Sequence, residues 1–107
     1  MEAIITTAAA HFKCIDLASN RHIRKMVHKA VTGACNKARA QNAKPITAVD
    51  DLTMHSLGPW IDTLAKYLAR SALVEGISIS GGEMAQMPDT YIPGYVGIII
   101  FVLSIKN

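Results

Sequence analysis

The clearest periodicity lies between Leu17 and Asn42, where Ile23, Met26, Val27, Ala30, Val31, Ala34 and Ala38 recur at spacings of three and four. That spacing puts them on one face of an amphipathic helix. Ser19 and Asn20 both suit its N-cap, and Gly33 is a weak point at which it could break in two. A second stripe of Ile61, Leu64, Ala65, Leu68 and Ala72 predicts another helix. It starts near Ser56-Leu57-Gly58-Pro59, with Ser56 as a capping candidate and Pro59 in the first helical position, and stops at Gly76.

The remaining apolar segments read as strands. Ile4 to Thr7 is short and β-branched, and Ala8 to Lys13 continues without a turn residue. Pro45 cannot extend the first helix, and Ile46 to Val49 follows as a second strand. Ile77 to Ser80 alternates as a third, which Gly81-Gly82 is expected to break, and after a loop from Met84 to Gly94 a fourth runs from Tyr95 to Ile105. The order β-α-β-α-β-β predicts one α/β (α+β) domain over residues 1–107, with a four-stranded sheet and two main helices.

The longest apolar run, Val96 to Leu103, has eight residues, against the roughly 20 a spanning helix needs, so it reads as a strand buried on both faces. The first residues, Met1-Glu2-Ala3-Ile4-Ile5, lack the basic segment and long apolar core of a signal peptide. Cys14 and Cys35 show no close pairing motif, and free thiols in a reducing cytoplasm are expected. For a chain of 107 residues, half of them hydrophobic, a mean hydropathy of +0.25 is high. The excess needs a destination such as a buried sheet or a partner subunit.

Charge is unevenly placed. Between Leu17 and Val49 lie seven basic residues (Arg21, Arg24, Lys25, Lys29, Lys37, Arg39, Lys44) and no acidic one, whereas the rest of the chain has four basic and eight acidic. The first helix could face a polyanion or nucleic acid. A plain solvated face is the stronger reading, because no aromatic or glycine-rich element interleaves with the charges.

The most specific stretch is Gly81-Gly82-Glu83-Met84-Ala85-Gln86-Met87-Pro88-Asp89-Thr90-Tyr91. It resembles the G-G-E-T-A-E-M-P-G-M-Y signature of aminoimidazole ribonucleotide synthetase, the phosphoribosylformylglycinamidine cyclo-ligase of purine biosynthesis. Seven of the eleven positions agree: Gly81, Gly82, Glu83, Ala85, Met87, Pro88 and Tyr91. Gln41-Asn42-Ala43-Lys44-Pro45 with Val49-Asp50 is similar to the family's Q-G-A-E-P and L-D-Y. Asn36 falls on the first residue of its Asn-Asp pair, and Lys13 on the lysine closing its D-G-V-G-T-K phosphate loop.

The resemblance implies the fold of that family's N-terminal domain and a homodimer formed by closing two sheets into a barrel. It also implies ATP and Mg²⁺ as cofactors. The nucleotide- and phosphate-binding candidates carried over are Lys13, Asn36, Asp50, Gly81, Gly82 and Glu83, with Glu83 and Asp50 as Mg²⁺ ligands; no catalytic residue can be assigned. On their own these residues read better as strand ends, turn glycines and a solvated lysine than as a binding site.

Two departures bear on chemistry. Ala8-Ala9-Ala10-His11-Phe12 stands where the family has D-G-V-G-T, removing the glycines that let backbone approach phosphate and an aspartate suited to a metal. Lys37 stands where the family has the aspartate of its Asn-Asp pair. The family's second, C-terminal domain has no counterpart in these 107 residues. The expectation is a divergent or truncated copy that dimerises and does not close the ring alone. The alternatives are a working component completed by a separate chain that supplies the second domain, and a polyanion-binding module built on the basic helix.

Overall fold

The computed structural model describes residues 2–107. Its elements are β1 (Ala3–Cys14), α1 (Asn20–Arg39), β2 (Ala43–Met54), α2 (Trp60–Glu75), β3 (Ser78–Gln86) and β4 (Tyr95–Lys106), in the order anticipated from the sequence. They form one four-stranded sheet in the order β1-β4-β2-β3. β4 runs antiparallel to both β1 and β2, while β2 and β3 are parallel. Each helix therefore crosses between strands of the same direction, and the last strand fills the gap between β1 and β2.

The strands are longer than their apolar cores suggested. β1 continues through Ala8–Lys13 because each of its residues has a partner on β4, from Ala3 opposite Lys106 to Cys14 opposite Tyr95. The expected break at Gly81-Gly82 does not occur: both glycines lie inside β3, paired with Val49 and Asp50, and the irregularity is a bulge one residue earlier. The positive-φ glycines are Gly76 and Gly94 instead, and Gly76 ends α2 as anticipated, at φ 73°.

α1 is continuous through Gly33, whose missing Cβ matters for packing. A Cβ there would lie 3.3 Å from the Ala9 Cβ of β1. Ser19 caps the helix, its hydroxyl accepting from the His22 amide at 3.3 Å. At the other end Asn42, at φ 59°, turns the chain back into β2. Pro59 sits one residue before α2, at the N-cap itself.

The core lies between the helices and one sheet face. Ile23, Met26, Val27, Ala30, Val31 and Ala34 of α1 pack over Val96, Ile98, Ile100 and Val102 of β4 and Ala48, Leu52 and Met54 of β2. Trp60 and Leu64 anchor α2 to the same core. Thr7 ties β1 to α1 by donating to the Ala34 carbonyl at 2.7 Å in a buried position. The opposite sheet face has no cover of its own: Val49, Ile99, Phe101 and Leu103 are half-buried, and Phe12 and Ile4 are exposed. Among the described residues no helix is long and apolar enough to cross a membrane.

Candidate functional site

Four of the six anticipated binding residues come together. Asp50, Gly81, Gly82 and Glu83 line a groove of about 300 Å³ between α2 and β3, walled by Ile61, Leu64, Ala65 and Leu68. The local cause is register. Asp50 pairs with Gly82, and a Cβ at residue 82 would overlap the Asp50 carboxylate and come 3.0 Å from its carbonyl oxygen. Glycine is needed there because another side chain already fills the space.

Strand alternation divides the carboxylates. Asp50 shares a face with the buried Ala48, Leu52 and Met54 beneath the helices, whereas Asp51 and Glu83, paired with each other, belong to the opposite face. Burial pushes the Asp50 carboxyl above its ordinary value, and the neighbouring Asp51 charge adds to the shift. Among the described residues no set of three or more His, Cys, Asp or Glu side chains gathers around one point. Strand alternation aims the Asp50 and Glu83 side chains to opposite faces, and both residues also line a second groove with Val49, Asp51 and Phe101.

The other two candidates lie elsewhere. Lys13, near the end of the edge strand β1, lines an open cleft with Cys14, Asp16, His22 and Lys25. Asn36 is exposed in the last turn of α1, where its side-chain oxygen accepts from Arg39 at 3.4 Å. Arg39 in turn pairs with Glu75 at 2.7 Å.

The segment in place of the phosphate loop is strand, not loop. Ala8 to Phe12 pairs with Phe101 to Gly97, and the Lys37 Nζ donates to the Ala8 carbonyl at 2.7 Å. The two departures from the family pattern thus touch one another. Burial lowers the His11 pKa below its ordinary value, and the Lys13, Lys29 and Lys37 charges lower it further, so this flank is cationic.

The rest of the signature has structural work that its spacing did not reveal. The Met87 amide donates to the Met54 carbonyl at 2.7 Å beyond the end of β3, and Pro88 enters a turn closed by the Tyr91 amide on the Met87 carbonyl at 2.9 Å. The Tyr91 hydroxyl lies 2.9 Å from the Thr53 hydroxyl, and its ring packs on Tyr95 with centroids 4.9 Å apart. Thr53 had no signal of its own in the sequence, because only the fold brings β2 under this loop.

No protein-family model matches the sequence, and no curated protein matches it. Solved structures do match in fold. Thiamine monophosphate kinase from Aquifex aeolicus superposes with a TM-score of 0.76 at 13% identity over 94% of this chain and 33% of the kinase. PurL from T. maritima, solved with ATP, gives 0.77 at 16% identity, covering 98% of this chain and 17% of PurL. A chain of a HypE-HypF complex gives 0.70 at 19%, covering 95% of this chain and 33% of its own. This chain spans a third or less of the length of these proteins, and at such identities the likeness is one of fold.

Proposed function

We propose that the chain is a divergent copy of the N-terminal domain of an aminoimidazole-ribonucleotide-synthetase-like enzyme, one that pairs with a second copy and does not carry out ATP-dependent ring closure by itself. The observation that carries this reading is the Lys37 to Ala8 hydrogen bond. A phosphate cradle needs free backbone N–H groups and small residues that let phosphate approach. Here the same segment is a strand, locked to α1 by a lysine that replaces the family's aspartate. The separation of Asp50 from Glu83 across the sheet supports the same conclusion, because phosphoryl transfer needs carboxylates that hold Mg²⁺ against the transferred group.

Pairing is supported by the uncovered sheet face, where Ile99, Phe101 and Leu103 form an apolar strip and Asp51 and Glu83 lie towards one edge. Covering it with a second copy gives the excess apolar residues a destination. The purified chain, incubated with formylglycinamidine ribonucleotide, ATP and Mg²⁺, is expected to release no ADP above background. In sedimentation it should run as a dimer that Phe101→Glu converts to a folded monomer. Turnover by the chain alone would overturn the catalytic half of this proposal, and a monomeric wild-type chain the other half.

A second reading is favoured by the fold: thiamine monophosphate kinase and PurL, which this chain matches over a third or less of their length, were solved with nucleotides or their analogues. In it the chain is one part of an active assembly, and another polypeptide supplies the remainder of the cleft. Co-expression with a candidate second-domain chain should then yield a complex that hydrolyses ATP, which the first reading does not allow.

A further inference from the structure

On the outer surface of the helical layer, away from the sheet, lies a second groove. Arg24, Lys25 and His28 of α1 form one wall, and Tyr67, Arg70, Ser71 and Val74 of α2 form the other, around a volume of about 460 Å³. The spacing is that of two helix faces lying side by side, so residues 39 or more positions apart in sequence present one surface. The sequence showed the basic stretch of α1 but not its partner wall.

The groove's charge is uncompensated. No carboxylate lines it, and the ion pair that the two helices do share, Arg39 with Glu75, is at their C-terminal ends. Arg70 is held over the Tyr67 ring, its guanidinium carbon 5.7 Å from the centroid. Arg21 and Lys29 extend the positive field along α1. Beside these cations Leu73 and Val74 are each 79% exposed, an unusual position for large aliphatic side chains on a helix that has a buried face available.

Cations beside exposed aliphatic groups ask for a ligand with both characters. A nucleic-acid backbone would satisfy the charges but leave Leu73 and Val74 wet, and the one aromatic ring is already covered by Arg70. A small phosphate ligand would be expected to use backbone N–H groups, and the walls here are helix mid-sections whose amides are engaged within the helix. A third helix laid between two parallel helices meets both needs.

We propose that this groove docks an acidic amphipathic helix from a partner polypeptide, with carboxylates on Arg24, Lys25 and Arg70 and an apolar side chain against Val74 and Tyr67. The site is independent of nucleotide binding and of pairing through the sheet.

The test is fluorescence anisotropy of the full chain with a labelled helix-forming peptide of about 18 residues carrying Glu and Leu on one face. Its controls are the same peptide with Gln for Glu, a charge-swapped peptide with Lys for Glu, and single-stranded DNA of similar length. The acidic peptide should bind, and Arg24→Glu, Lys25→Glu and Arg70→Glu together should weaken it at least about tenfold. Val74→Ser should weaken it about threefold through lost apolar burial. The charge-swapped peptide should bind the reversed variant, a rescue that damage to the fold would not produce. Equal binding of the Gln peptide, absence of peptide binding, or DNA binding that is tighter and indifferent to Val74→Ser would each overturn the proposal.

Discussion

The Lys37 Nζ donates to the Ala8 carbonyl at 2.7 Å, across 29 positions of sequence. β1 is an edge strand, so its outward carbonyls have no strand to pair with, and a lysine reaching over from α1 satisfies one of them while placing charge along the edge. Lys37→Met should therefore cost up to about 1 kcal/mol in denaturant unfolding and speed amide exchange along β1 more than elsewhere. Lys37→Asp, which introduces the residue of the pattern it resembles, should not confer ATP binding by calorimetry, because the strand beside it remains a strand.

Gly82→Ala is expected to cost about 1–3 kcal/mol, since the new Cβ must displace the Asp50 carboxylate or shift the backbone. In an Asp50→Ala background the same change should cost less. A double-mutant cycle by urea unfolding checks this, and simple additivity would contradict the proposed close approach.

The Asp50 carboxyl titrates above its ordinary value of 3.8 because it is partly buried and Asp51 is close. A raised folded-state pKa means that the folded chain holds the proton more tightly, so the ionised group costs stability above that pKa. The cost disappears as pH falls below the ordinary value. Asp50→Asn should accordingly raise the Tm at pH 7, and thermal melts across pH should show the gain shrinking as acid protonates the wild-type residue.

Ser104, on β4, is 1% exposed, and among the described residues its hydroxyl has no hydrogen-bond partner. Burying an unpaired hydroxyl is unfavourable, so Ser104→Ala should stabilise the chain by about 1 kcal/mol in chemical denaturation. A loss of stability would mean that the hydroxyl is satisfied in solution.

Much of the fold was legible because periodicity survives translation into structure. The apolar stripe of α1 reads directly as its buried face, and Gly76 ends α2 at a positive φ that glycine adopts without strain. Strand ends were less legible: β1 runs through an alanine stretch with little β preference of its own, extended because β4 lies beside it. Gly81-Gly82 looked like a turn for the same reason. A local rule for glycine cannot register that the Asp50 side chain lies over residue 82.

The candidate site divides along similar lines. Asp50, Gly81, Gly82 and Glu83 could be nominated from a short motif and a matched aspartate, and the parallel pairing of β2 and β3 does bring them together. Lys13 and Asn36 shared the motif logic, yet each belongs to another element and another part of the surface.

By itself, then, the sequence determined the helices and the order of elements, because each depends on residues within a few positions of one another. Only the tertiary structure decided that Ala8 to Phe12 would be a strand clamped by Lys37, that Asp50 and Glu83 would lie at positions facing opposite sides of the sheet, and that Arg70 would complete a groove begun by Arg24 and Lys25. Those outcomes depend on strand register and helix packing, which set distances between residues that local pattern leaves free.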